Sequence, residues 1–580
     1  MATSLAAATF AVTLSACQAN PGEAPTVEDP ASPTQTRQPQ PVDESLREIT
    51  VGLDRFTSNL NPHLVGNRNP VVAAVADLTL PSVYTNGSRG ENLNDDLIAE
   101  VKPNDPANPT EVVYTLHPEA QWSDGTPITI SDFQYLREAI VDEPLAEAKG
   151  LYRHISSIEP EKKDKSFKVT FDQPLSDWKR LFAHLLPSHI YRAEGRSFDT
   201  MMDEGSVASA GQYSVKTVDE GRGLLELQRN DRYWGAKAAK SDVIRFTAVP
   251  DKSTGAQMMR TQQIQMYMTQ RSATSDLALD QLPYTQMRNT ARGVQLNLQV
   301  NQASPIFSDH ETRRRVLGAI NAEMVARIVS GDPEIEAPRW HVTPDTATEM
   351  PTDLTSEERP DGIVIGAVTD DRVAVDAARS IVDQLLLVGI PASVRTGKAG
   401  EILGAAVENG DVDGVVTWQR SPQVVSDYVE QYGCTSAPGS EDAQTQSDAD
   451  SQDPADRSDS EGSGDEGAPA TPKKPGGGNL SGTCDHDLQQ RLDDLSEGRT
   501  KLHDEREKLD DRIAEISTVL PILSDGFTVV ASDRLNGPTP GLEDWPLDDS
   551  SSVLISAPQW TLSPIEEINR NSAENARKED

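Results

Sequence analysis

The three cysteines and nine histidines of this 580-residue chain are its side chains with the most specific chemistry. A thiolate can attack, ligate a metal or pair in a disulfide; an imidazole can move protons or hold a metal. Spacing decides among these. His117, His154, His184 and His189 show no ligand-like interval, and each reads as an ordinary core or surface histidine. No HExxH, CxxC, GxSxG, Walker-type loop or dinucleotide fingerprint occurs in the sequence. Gly476-Gly477-Gly478 through Gly482 belongs to a low-complexity run, not a phosphate cradle. Asp448, Asp450 and Asp453 lack the turn glycine and closing glutamate of a calcium loop. The pattern predicts no catalysis, no metal and no cofactor.

The cysteines divide by context. Leu5 to Leu14 is a short Ala-rich apolar run, ending in Leu14-Ser15-Ala16-Cys17, which has the form of a bacterial lipobox. It predicts acylation of Cys17. The run is shorter than the ~20 residues that span a bilayer, and a buried Ala-rich helix is the alternative. No Lys or Arg precedes it, so the natural start is expected upstream. Residues 18–47, rich in Pro, Gln, Thr and Glu, read as a disordered tether. With Cys17 acylated, Cys434 and Cys484 are left as an even pair outside the cytoplasm, which predicts one disulfide. Two free thiols are the alternative. Residues 435–483 between them are dense in Asp, Glu, Ser, Gly and Pro and are predicted to be a disordered acidic insertion. The net charge of -39 argues against a nucleic-acid partner and against adhesion through charge to an anionic membrane. The membrane is expected to be reached through the lipid anchor only.

The elements follow from local patterns. Val112, Val113, Tyr114 and Leu116 favour a strand. Ser123-Asp124-Gly125-Thr126-Pro127 is turn chemistry, and Ser131 stands where an N-cap would, with Asp132 in the first helical turn. Further on, Ile363 to Gly366 reads as a buried strand, Val373 to Val388 as an amphipathic helix closed by Gly389, and Ile390 to Val394 and Val412 to Trp418 as strands. Residues 486–518 place Leu488, Leu492, Leu495, Leu502, Leu509, Ile513 and Ile516 near heptad spacing. Gly498 interrupts them, so two helices are predicted either side of it, with a coiled coil as the alternative. Strand-helix-strand units of this kind predict an α/β protein.

The wording of these segments adds to their periodicity. VYTLHPEAQWSDGTPITISDFQYL (Val113 to Leu136) resembles the signature region of the family 5 solute-binding proteins of oligopeptide, dipeptide and nickel ABC importers. ITVGLDRFTSNLNPH (Ile49 to His63), LLPSHIY (Leu185 to Tyr191), SAGQYSV (Ser209 to Val215), LELQRNDRYWG (Leu225 to Gly235) and the stretch Val294 to Val329 resemble that family in order. The resemblance implies a two-lobed periplasmic-binding-protein type II fold with an inserted subdomain. The first lobe would take residues 48–75, 212–290 and 526–580, the insert 76–211 and the second lobe 291–525.

The resemblance also implies a ligand cleft between the lobes. Trp418, in VDGVVTWQR, is similar to an aromatic cleft wall, with a core Trp as the alternative. Asp427 and Tyr428 stand where the family often has Asp-Tyr, with a surface helix as the alternative, and Phe56, Asn59 and Asn61 lie on the loop that borders the cleft. Trp122, Asp124, Gly125 and Trp234 are expected to be structural. The implied molecule is a monomeric, extracytoplasmic, lipid-anchored binding protein that takes a small peptide and docks on an ABC permease. The acidic insertion, the Pro-rich tether and the Ala/Asp/Arg bias resemble the actinobacterial LpqW-like branch instead. That branch implies a glycolipid ligand, a role in phosphatidylinositol mannoside and lipoarabinomannan synthesis, and an envelope glycosyltransferase as partner. Gln262-Gln263-Ile264-Gln265-Met266 departs from the Gly-Glu-hydrophobic-Asp motif of the importers.

Overall fold

A computed structural model describes residues 47–54, 59–87, 90–162, 165–338, 362–434, 478–547 and 551–564. Cys17, Phe56, the tether and most of the acidic insertion lie outside them. Ten strands form one sheet, in the order Ala392–Gly397, Ile363–Val368, Gly414–Arg420, Thr285–Val300, Val519–Ser532, Met266–Gln270, Glu48–Leu53, Val243–Ala248, Leu224–Arg229, Tyr213–Asp219. Two long antiparallel strands, Thr285–Val300 and Val519–Ser532, run through the middle and join the two halves. Each half buries its own core. One is built on Ile49, Val51, Phe246, Met266 and Trp560, the other on Leu296, Ile365, Ile381 and Leu520. The halves are called the first and second lobes below.

The second lobe holds the predicted strand-helix-strand unit. Ile363–Val368 pairs in parallel with Ala392–Gly397, and helix Arg372–Leu387 crosses between them. Asp371 caps that helix by accepting from the Ala374 N–H at 3.0 Å. Gly389 takes φ +84°, where a Cβ would strain the turn into the next strand.

A four-stranded sheet, Ile98–Pro103, Glu111–Leu116, Ser166–Phe171, Ile155–Pro160, forms the insert beside the first lobe. Helix Ile130–Asp142 covers it, burying Phe133, Leu136 and Ile140. These follow the helical interval, and each contributes roughly 1.5–3 kcal/mol of burial. The N-cap is Thr129, not Ser131. Thr129 and Asp132 form a reciprocal capping box, which outcompetes a hydroxyl two residues later because it satisfies two donors at once. Asp132 also accepts from the Ser188 N–H and Oγ at 3.0 and 2.8 Å, tying the turn motif to the LLPSHIY segment.

Helices His486–Ser496 and Leu502–Ile516 lie either side of Gly498, whose φ is +72°. They fold back on each other over Tyr428 and Tyr432, so the heptad-like leucines serve one compact cluster. Cys434 and Cys484 are joined in a disulfide. The acidic insertion ends earlier than its composition implies. Asn479, Ser481 and Thr483 are 1 % exposed. Asn479 Nδ2 donates to the Gly433 and Thr483 carbonyls at 2.9 and 2.7 Å, which gives this polar stretch internal partners in place of water. No helix among the described residues is long and apolar enough to cross a membrane.

Candidate functional site

The lobes meet along a seam built from distant parts of the chain. On the first-lobe side stands the Asn59–Asn69 loop. Asn59 Oδ1 accepts from the Asn61 N–H at 3.0 Å and from Asn67 Nδ2 at 2.9 Å. Asn61 Oδ1 accepts from the His63 N–H at 3.0 Å, while its Nδ2 donates to the Phe198 carbonyl at 2.8 Å. Asn59 Nδ2 donates to the Asp199 carbonyl at 2.5 Å. Both asparagines therefore shape the loop, a use for which short amide side chains are suited. Asn61 is 0 % exposed.

His63 lies beneath this loop, within 3.0 Å of the His184 carbonyl through Nε2. Burial, helped by the neighbouring His184, lowers its pKa to about 4. The unfolded chain therefore takes up this proton near pH 6.5, and the folded chain only near pH 4. Stability present above pH 6.5 is lost as the pH falls through that window, by roughly 3 kcal/mol for this group. His63→Gln is expected to flatten the acid limb of the stability profile by about that amount. An unchanged limb in urea melts from pH 4 to 7 would remove His63 from the account.

Arg68 leaves the end of this loop and crosses the seam. Its Nε pairs with Glu147 Oε1 at 2.6 Å, and its Nη1 donates to the Trp418 carbonyl at 3.0 Å. Arg420 of the second lobe reaches the other oxygen of Glu147 at 3.3 Å. Burial pushes the Glu147 carboxyl up, but Arg68 and Arg420 outweigh it and hold it below the usual range. A second bridge lies alongside. Arg180 of the insert meets Asp427 Oδ1 at 2.6 Å, and Asp177 Oδ2 accepts from the Ser426 N–H at 2.7 Å. Asp427 also accepts from the Gln423 N–H at 2.9 Å. Burial raises its pKa and Arg180 lowers it, with the net below the ordinary value.

The residues named by resemblance thus have distinct surroundings. Trp418 is half-buried, packs on the second-lobe core and pairs in register with Leu296. Burial pushes the carboxyl of Asp371 up to about 6, and Trp418 offsets part of that rise. Asp427 is both a helix-start acceptor and an ion-pair partner. Tyr428 is 1 % exposed, and its hydroxyl donates to Asp510 at 2.8 Å. Trp234 donates to the Asp96 carbonyl at 2.7 Å. Gln265 ties two first-lobe strands, accepting from the Thr50 N–H at 2.8 Å.

The strand Gly414–Arg420 has a particular edge. On one side it pairs along its length with Thr285–Val300, and the Ser421 N–H continues that side onto the Gly293 carbonyl. On the other side its pairing with Ile363–Val368 reaches only Val416. Backbone groups alternate between edges, so Trp418 and Arg420 face the open side. Their carbonyls are taken there by Arg68 and by Gln431 Nε2, at 3.0 and 2.9 Å.

Residues 97–437, more than half of the chain, match the middle region of the bacterial extracellular solute-binding proteins, family 5. The chain belongs to that family. A Mycobacterium tuberculosis relative named "probable monoacyl phosphatidylinositol tetramannoside-binding protein LpqW" is 27% identical over 87% of this chain and 91% of its own. The oligopeptide-binding protein OppA of the same organism is 32% identical over 35% of each chain. The structure of Bacillus subtilis AppA, in complex with a nonapeptide, superposes with a TM-score of 0.63 at 14% identity, over 89% of this chain and 99% of that one. The fold of this family 5 chain is thus the two-lobed type II binding-protein fold.

The resemblance does not point to Arg68, Glu147, Arg180 or Arg420, which carry the seam. Arg68 and Trp418 lie 350 residues apart, so no local pattern marks them. The one sequence signal is a charge close to an expected position, Arg420 two residues after Trp418.

Proposed function

We propose that this solute-binding protein is an LpqW-type envelope lipoprotein, anchored through Cys17, that binds a mannosylated phosphoinositide at the interlobe seam. The observation carrying this reading is the occupied edge of the Gly414–Arg420 strand. An extended peptide gains sequence-independent affinity by adding to a free sheet edge. Here the two edge carbonyls past Val416 already hold Arg68 and Gln431. A ligand of this site is recognised through side chains and hydroxyls. The likeness to the LpqW relative over 87% of the chain supports the same reading. Such a protein acts with envelope glycosyltransferases.

Peptide capture for an ABC permease is the second reading, favoured by the OppA likeness at 32% identity. Native mass spectrometry of the protein from its own membranes separates the two. Bound phosphatidylinositol mannoside, displaced by added mannoside and not by a peptide library, is the expected result. Bound peptides would overturn it. In the same preparation Cys17→Ser is expected to leave the membrane fraction.

A further inference from the structure

Helix Val425–Tyr432 places a second carboxylate in the seam. Glu430 Oε2 accepts from the Ala148 N–H of the insert at 2.8 Å. It thereby joins the site where Glu147 already binds Arg68 and Arg420. The two lobes come into close contact around it. Leu145 of the insert packs onto the second-lobe cluster of Ile402 and Leu403. Gly66 approaches the second lobe so closely that a Cβ there would lie 2.6 Å from the Ala399 methyl. The Glu430 side chain itself lies against Gly478. The contacts of Ala148, Leu145 and Gly66 join the two lobes, so they are lost when the lobes part.

We propose that closure of the lobes is linked to protonation of Glu430, so that the closed form is more stable in mildly acidic than in alkaline solution. Glu430 stands beside Glu147, both of whose oxygens are already engaged by guanidiniums, those of Arg68 and Arg420. Across the seam, Glu430 meets the backbone N–H of Ala148. Like charges at close quarters do not both ionise readily away from water. The other charged groups facing this point are few. On its own helix stands Asp427, held by Arg180. From helix Lys149–Arg153 come Arg153 and Lys149, the latter bound to the Glu143 carbonyl at 2.9 Å. Among the described residues, 478–483 bring no charge, and helix His486–Ser496 lies against Tyr428 and Tyr432.

Burial, followed by repulsion from Glu147, raises the pKa of Glu430 to about 7 in the closed form. In an open form it is exposed and titrates near 4.5, the ordinary value. Closing therefore takes up a proton between these limits. The closed form is fully favoured below about pH 4.5 as far as Glu430 is concerned, and loses ground as the pH rises to about 7. Glu147 and Asp427 act in the opposite sense. Their pKa values are lowered by arginines across the seam, so closure weakens when the pH falls far enough to protonate them. Closure is expected to be strongest in between.

The Ala148 amide reports the equilibrium, because its acceptor is Glu430 across the seam. Its hydrogen-exchange protection in the full chain, corrected for intrinsic exchange, is expected to fall on the order of a hundredfold from pH 5 to pH 8. Glu430→Gln, which keeps an acceptor for that amide, is expected to give high protection across the range. Arg180→Gln should lower protection at every pH and keep the slope. A flat profile in the wild type, an unchanged slope in Glu430→Gln, or a slope abolished by Arg180→Gln would each overturn the proposal.

Discussion

Arg292→Ala is expected to destabilise the protein by roughly 3–5 kcal/mol, the usual cost of leaving a buried charge without its partner. Arg292 pairs with Asp525 at 2.5 Å, and the two side chains are 5 % and 4 % exposed. The pair sits where the joining strands lose register, between the pairs Ala291 with Gly526 and Gln295 with Ser524. Arg292 also lies over the Phe527 ring, 5.7 Å from its centre. Burial pushes the Asp525 carboxyl up even with Arg292 present. Without the guanidinium it must be buried as a lone charge or take up a proton. The loss is therefore expected to be largest at pH 8 and smaller at pH 5, where protonation relieves it. Replacing both groups by Met and Leu is expected to cost far less than the single change, because no charge is left behind. Denaturant melts of the three proteins at the two pH values test this. A single-variant loss below about 1 kcal/mol would mean that water reaches the pair.

The location of this pair separates what was legible in the sequence from what was not. Local rules suffice for the Arg372–Leu387 helix, because its apolar interval, its Asp371 cap and Gly389 act within a few residues. They suffice for the break at Gly498 as well. The family wording extends that reading to the two-lobed fold. A choice between caps, Thr129 over Ser131, depends on a reciprocal bond that either hydroxyl could have made on spacing alone. The seam is a different case. Glu147, Arg180, Arg420 and Glu430 become one constellation only when the sheet halves face each other. Their partners lie hundreds of residues away, and solvated surface charges look identical in a sequence. Tyr428 illustrates the converse. Its neighbour Asp427 is at the seam, but one residue of helical rotation turns Tyr428 into the Leu488 and Leu492 cluster.

Trp418→Ala is expected to weaken ligand binding by about 1–3 kcal/mol, the range for a lost aromatic contact at a site centre. It is also expected to lower stability by about 2–3 kcal/mol, less than the 3–5 of a sealed Trp, because the ring is only half-buried. The two losses have different origins, and the indole N–H separates them. Trp418 eases the ionisation of Asp371, whose carboxyl burial has pushed up to about 6. That raised value means the folded state is penalised when Asp371 ionises, so this part of stability improves as the pH falls through 6 towards 4. Trp418→Phe keeps an apolar ring and removes the donor. Its stability is expected to match the wild type near pH 4 and fall below it above pH 6, as Asp371 becomes still harder to ionise. Fluorescence of the wild type should shift on titration with the mannosylated ligand, and the shift should vanish in Trp418→Phe. If the Phe variant loses stability equally at both pH values and binds normally, Trp418 acts only through packing on the second-lobe core. In that case the ligand contacts lie elsewhere along the seam, with Arg420 the nearest charged group on the same strand edge.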